Sequence, residues 1–441
     1  MPDSASTLTA LRHPQRARQL HAAATSFLAL FSIVGLALYG LPLFYDHMVR
    51  EFGWSRTQVT SGNALSKLVV GPLFGFIAGW VIDRFGPQWV IRTGVVIFGA
   101  GFILVSYVNS LLAFYVAFIV TALGSSLCGF FPFNVTLIHW FERHRARALS
   151  SMQIGMGFGG LALPGVALGL ATRGWRATAF ASGLIIVAVC LPLSFVILRQ
   201  PEDIGEGMDG IESRSRDPVS DPEIKGKETT RDFTAREALR TRAFWLLSLG
   251  HGFALFVVTG INTHAITHMK EGLGYTIEAA SFAILLQTVA HLGGVGLGAW
   301  IGDRFDKRIL AALCMLGHMS GLLFLTYATG PAMIVAYALL HGTAWGLRGP
   351  FMQAIRADYF GRSAIGMNLG FSTMIVVIGQ IGGPMIAGIL ADMTGNYRAG
   401  FTTLALLAGV GSAFFLLAKR PVRPMRTAAQ RRPRNSARPG R

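Results

Sequence analysis

Gly79-Trp80-Val81-Ile82-Asp83-Arg84-Phe85-Gly86 closes a long apolar run with an acid, a base and a glycine suited to a turn. The phrase returns 220 residues later as Ala299-Trp300-Ile301-Gly302-Asp303-Arg304-Phe305. One such phrase marks a helix end. Two, each at the same place in half a chain, mark a duplicated architecture. Other echoes keep nearly the same offset. Gly53-Trp54-Ser55 is answered by Gly274-Tyr275-Thr276, Pro132 by Pro350, Pro164 by Pro384, and Trp175-Arg176-Ala177 by Tyr397-Arg398-Ala399.

Between these landmarks the chain is apolar. Of its 441 residues, 52% are hydrophobic and 14% charged, with a mean hydropathy of +0.49. Soluble domains carry about 25% charged residues, so most of this chain is expected in lipid. A spanning helix needs about 20 apolar residues. Twelve such runs are expected, at 22–48, 57–82, 90–108, 111–139, 149–171 and 177–198, then at 243–269, 277–301, 309–328, 331–357, 364–391 and 398–418. They are too long and continuous for barrel strands. The polar stretch 199–242 reads as a linker between two six-helix bundles, 22–198 and 243–418, flanked by tails at 1–21 and 419–441. Two bundles in the same orientation form a parallel repeat, with its axis along the membrane normal.

A net charge of +17 would suggest nucleic acid, but its distribution speaks for a membrane. Lys and Arg crowd the termini and the loops after even-numbered spans, whereas the opposite loops hold Arg50, Arg56, Arg173, Arg176, Lys270 and Arg398. This positive-inside bias puts both termini in the cytoplasm, as for a multi-pass protein of the inner (plasma) membrane, with no nucleic-acid partner. The basic tail 419–441 is expected to lie disordered beside anionic headgroups. Residues 1–21 are polar and the next apolar run exceeds an h-region, so no cleavable signal peptide is expected. Cys128, Cys190 and Cys314 fall in different spans without metal or redox spacing, so no metal site or cofactor is expected.

Twelve spans, a central linker and a Gly79-x-x-x-Asp83-Arg84-x-Gly86 loop resemble the major facilitator superfamily. Phe52-Gly53-Trp54-Ser55-Arg56, Pro201-Glu202-Asp203-Ile204-Gly205 and Gly174-Trp175-Arg176-x-x-x-Phe180 are similar to the monocarboxylate and oxalate/formate type of bacterial facilitators. The resemblance implies an all-α fold of two pseudo-symmetric bundles, working by alternating access. It makes Gly79, Asp83, Arg84, Gly86, Asp303 and Arg304 a conformational latch. The pattern departs at Pro87 and Gln88, where basic residues are common and for which Arg92 compensates, and at Asp306, which replaces a glycine.

A charge in the bilayer interior is expensive and usually functional. The sequence places two inside spans, Lys67 and Arg348. Arg348 lies ten residues before Asp358, hence about 15 Å deep, near the midplane. A guanidinium grips a carboxylate with two parallel hydrogen bonds, so Arg348 is the candidate anion site; the bland reading is an arginine satisfied by backbone carbonyls. Lys67 is either a second anchor or a side chain reaching outward, and its repeat partner is Gln287. His264, His291 and Asp46 are candidates for carrying a proton, with packing as the alternative for each histidine. His264, Asn134, Gln287 and Tyr45 complete the candidate cavity. No internal Asp or Glu is expected in the spans, which favours an anionic cargo.

The sequence thus reads as a secondary transporter of small organic anions, monocarboxylates or related carboxylates, that is proton- or anion-coupled and acts as a monomer in the lipid bilayer. It contains no phosphate-binding Gly-x-x-x-x-Gly-Lys loop, and neither ATP use nor enzymatic activity is expected. The alternative is an efflux pump for amphipathic drugs, in which Arg348 and Lys67 would be structural.

Overall fold

The computed structural model describes residues 19, 21–195, 197, 200–204, 208 and 231–425. Most of the N-terminal tail, the centre of the linker and the tail beyond residue 425 therefore lie outside the described residues. The described chain is helical, with no strand element among the described residues. Helix α1 (21–33) runs through a π-helical turn, Val34–Gly40, and a 3-10 turn, Leu41–Phe44, into α2 (Tyr45–Phe52). Then follow α3 (Arg56–Phe85), α4 (Pro87–Ser106), α5 (Leu111–Leu127), α6 (Phe130–Trp140), α7 (Arg145–Phe158) and α8 (Leu163–Phe195). After the linker come α9 (Ala235–Leu239), α10 (Arg242–Thr267), α11 (Ile277–Ile301), α12 (Lys307–Thr326), α13 (Pro331–Phe360), α14 (Ile365–Thr394) and α15 (Arg398–Leu417).

By length and composition, eight described segments can cross a membrane. One of them, 145–195, folds two expected spans into a single 51-residue segment. It bends at Gly174, whose φ of 76° suits a residue without Cβ. The expected fourth span is likewise split. Gly129 is extended there, and Pro132, the third residue of α6, stands in its first turn, where its missing N–H cannot continue the bonding of α5. Ser55 caps α3 as its sequence suggests, accepting from Gln58 N at 3.1 Å while Gln58 Oε1 accepts from Ser55 N at 2.8 Å.

Three apolar cores result. One unites α1 to α8, a second unites α9 to α15, and a third lies on the seam, where Ile82, Val90, Val135 and Ile138 meet Ala357, Ile365 and Leu369. Across the seam α3 packs on α14, and α7 on α11 and α13. Outward-facing apolar side chains such as Leu168, Leu184, Phe282 and Ile378 stay exposed on the bundle surface, as lipid-facing positions require. The linker returns to the second half through Phe233, whose N–H bonds Phe360 O at 3.0 Å. Arg231 grips Glu237, and this hydrogen bond, ahead of the Thr234 backbone, holds the Glu237 carboxyl down at about 2. The clamp therefore keeps its charge at every physiological pH.

Candidate functional site

At the linker end of the bundle the repeated Asp83 and Asp303 meet the opposite half. Asp83 accepts from Gly366 N and Met367 N, both at 2.8 Å, at the start of α14. Asp303 accepts from Ala146 N at 2.9 Å and Arg147 N at 3.2 Å, at the start of α7. The acids are 220 residues apart, and so are the amides they bind. Each carboxylate satisfies two free N–H groups at a helix N-terminus, where the helix dipole favours an anion. This capping explains why α7 begins at Arg145, inside a stretch that reads as a basic loop. Gly79 lets the backbones close, since a Cβ there would stand 2.5 Å from Gly366 O. Gly86, at φ +89°, turns the chain from α3 into α4.

The basic members of the phrase do something else. Arg84 lies over Trp80, 5.4 Å from the ring centroid, and Arg304 over Trp300 at 5.0 Å. Each covers an aromatic ring of its own helix end. Arg92 sits 4.4 Å over Phe195, joining α4 to α8. Ionic contacts across the seam come from residues the sequence reading passed over. Arg145 of α7 pairs with Asp358 of α13, which also takes Lys307 at 3.0 Å. Arg362 bonds Glu202 of the linker at 3.2 Å and His139 O at 3.3 Å.

Toward the middle of the bundle, α11 and α13 lie backbone to backbone. A Cβ on Gly342 would overlap Gln287 O, one on Gly346 would overlap His291 O, and one on Gly294 would overlap Thr343 O. Small residues at four-residue spacing permit this approach. The contact groups Gln287 and His291 of α11 with Tyr337, His341, Trp345 and Arg348 of α13. Tyr337 donates to Gln287 Oε1, and the His291 ring stands 4.5 Å from that of Trp345. Arg348 is 2% exposed, and its Nε and Nη1 have no hydrogen-bond partner. The alternative of an arginine quieted by backbone carbonyls thus fails for these two atoms. From the other half, Gln153 of α7 packs its amide against Gly349, beside Arg348.

The expectation of only two cations inside the spans is corrected. Arg356, near the end of α13 and two residues before Asp358, is 1% exposed. Its guanidinium bonds Met352 O and Ser372 Oγ, each at 2.6 Å, and reaches His251 Nδ1 at 3.3 Å. Its place eight residues after Arg348, two turns along one face, was the available signal. No Asp or Glu is buried among the described residues.

The remaining candidates lie apart from Arg348 in their bonding. His264 reaches Pro384 O at 3.1 Å and packs on Tyr397, tying α10 to α14. Asn134 is 2% exposed; its Nδ2 donates to Phe130 O at 2.7 Å and its Oδ1 has no partner. Tyr45 packs on Phe118, and Asp46 is exposed in the first turn of α2. Lys67 lies within α3, and its side chain is outside the described residues.

A family model, the Major Facilitator Superfamily, matches residues 25–294 and 247–440. Among curated relatives, monocarboxylate transporter 13 of Bos taurus is 26% identical over 77% of this chain and 76% of its own. The glycerol-3-phosphate transporter of Bacillus subtilis is 27% identical over 81% and 82%. The oxalate:formate antiporter of Oxalobacter formigenes is 23% identical over 90% and 91%. Among solved structures, the fucose:proton symporter of E. coli superposes with a TM-score of 0.69 at 16% identity, covering 91% of this chain and 98% of that one, a likeness of fold alone.

Proposed function

The chain belongs to the Major Facilitator Superfamily, and within it we propose a secondary transporter of small organic anions, with Arg348 as the cation that binds them. One observation carries this reading: a buried guanidinium with two unpaired N–H-bearing nitrogens, in a core where no described acid is buried. A lone charge in the bilayer centre costs about 2.5–3.5 kcal/mol or more, so a carboxylate that fills those donors is strongly favoured. Gln153 of the facing half, packed against Gly349, supplies a neutral amide beside it. The named cargoes of the relatives, monocarboxylates, oxalate and formate, and glycerol 3-phosphate, are all anions, which supports the same reading. Lys67 is proposed as a second anchor on the facing half.

The halves 22–198 and 243–418 rock about this site, driven by an ion or solute gradient, in a single copy of the chain embedded in the inner membrane. The charge bias makes the linker end cytoplasmic. In this conformation that end is held shut by the Asp83 and Asp303 caps and by Arg145–Asp358. The test is uptake into proteoliposomes from a panel of labelled lactate, formate, oxalate and glycerol 3-phosphate, with Arg348→Gln alongside. Uptake by the wild type and its loss in the variant support the reading. Undiminished uptake by Arg348→Gln removes Arg348 from the site. No uptake by the wild type, together with dye extrusion from cells, replaces the anion carrier with a drug efflux pump.

A further inference from the structure

Two helical turns before Arg348, where α12 meets α13, stands a pair of histidines that anion binding does not use. His318 and His341 are each 0% exposed, and their Nδ1 atoms are 3.1 Å apart. Both Nε2 atoms are buried without a partner. This geometry fixes the proton count. For Nδ1 to bond Nδ1, one ring donates and the other accepts. The accepting ring then carries its own proton on Nε2, and the donating ring has a bare Nε2. One proton fits on that bare nitrogen. It converts the contact into a hydrogen bond from imidazolium to imidazole, of the stronger, charge-assisted kind.

We propose that His318 and His341 form a proton-binding site whose occupancy is linked to the anion at Arg348, making the carrier a proton–anion symporter. The inference rests on Arg348 being the anion site. The linkage is electrostatic. His341 stands seven residues, two helical turns or about 10 Å, before Arg348 on the same face of α13, a separation over which the charge of Arg348 acts in a medium of low dielectric. While Arg348 is bare, a proton on the pair adds a further cation to Arg348 and Arg356 in a core where no described acid is buried. A bound carboxylate cancels the first charge and favours the proton. By reciprocity the proton favours the carboxylate to the same degree. The fully loaded and fully empty forms thus carry the same net charge. His291 is 7% exposed and lies against Trp345, which in turn packs on His341.

Few other groups bear on the pair. Cys314 lies one turn before His318 on α12, and the Tyr337 ring packs on His341 while its hydroxyl is committed to Gln287. On α10, His251 is held by Arg356 and His264 by Pro384 O. The ionisable side chains of α7 and α15 lie in their first turns, Arg145 and Arg147 in one and Arg398 in the other; on α14 the only one is Asp392, near its end.

The test separates coupling from binding. In proteoliposomes with the outside about one pH unit more acidic, a proton carried with each monocarboxylate concentrates it about tenfold, since one pH unit is a tenfold proton ratio. The probe is whichever labelled monocarboxylate of the panel the wild type takes up, with protein-free vesicles as the control for passive entry. A dye in the lumen should report one proton per anion. The double variant His318→Asn/His341→Asn should accumulate no more than the equilibrium ratio of one, yet exchange labelled for unlabelled anion within about threefold of wild type. Accumulation near tenfold by the double variant overturns the proposal, as does wild-type accumulation without proton entry. If the double variant also loses exchange, His318→Asn alone is measured: folded protein that still accumulates tenfold overturns it. Failure of Arg348 as the anion site is read separately, from Arg348→Gln in exchange without a gradient, and takes the linkage down with it.

Discussion

The two halves of this molecule agree at the linker end and disagree at the centre. Asp83 and Asp303 make the same pair of bonds to equivalent helix starts, with one offset of 220 residues on both sides. The centre has no such symmetry. By the register that aligns Pro350 with Pro132, Arg348 corresponds to Phe130 and Arg356 to Ile138. The buried polar cluster therefore belongs to the second half. Bonds that tie each half to the other serve both halves alike, and duplication keeps them twice. At the two positions equivalent to Arg348 and Arg356 the first half carries apolar Phe130 and Ile138 instead.

This contrast can be broken or sharpened by substitution. The largest effect is expected at the asymmetric centre. Arg348→Gln should lower carboxylate affinity about 100-fold, because two charge-assisted hydrogen bonds are lost at about 1.5–3 kcal/mol each, partly compensated by the amide. A binding titration in detergent measures this, and a change below threefold would break the comparison by leaving the centre without a pole. Next come the symmetric acids. Asp83→Asn and Asp303→Asn should each slow transport about fivefold, in proportion to the loss of a charge worth up to about 1 kcal/mol at a helix start, while affinity stays within about twofold. Equal slowing supports the duplicated latch, and an effect in one variant alone would show that the halves are not equivalent.

A packing test follows. Gly346→Ala drives a methyl into His291 O between α11 and α13. Overpacking of this kind costs about 1–3 kcal/mol and should lower the Tm by several degrees in a thermal-shift measurement. An unchanged Tm would show that these helices have room to separate. The smallest effect is expected at Arg84, which covers Trp80 of its own helix. Arg84→Ala should change the uptake rate less than threefold, as the loss of an exposed cation–π contact of about 0.5–1 kcal/mol implies. A tenfold loss would mean that Arg84 crosses the seam in another conformation.

Much of this was legible in the chain. The paired Asp-Arg phrases located two equivalent helix ends, because a duplicated helix end repeats its letters along with its geometry. The apolar runs located the helices, since lipid demands long continuous segments. Arg348 was legible because its distance from Asp358 implies depth. Arg356 was not, because a count of residues from a helix end cannot tell a headgroup arginine from one bonded inward to Ser372 and His251. His264 read as a cavity residue from its place in the seventh span, yet its ring serves Pro384 O.

By itself, then, the sequence determined the helical membrane fold, its duplication and the paired Asp-Arg phrases at equivalent helix ends, all of which follow from hydropathy and repeated spacing along one dimension. Only the tertiary structure decided that Asp83 and Asp303, and not Arg84 and Arg304, cross the seam. It also decided that His318 faces His341 and that Arg348 keeps unpaired donors in a core with no described buried acid. The physical reason is common to all three. Partners in a hydrogen bond are chosen by helix rotation and close glycine packing between segments far apart in the chain, and no local pattern carries that information.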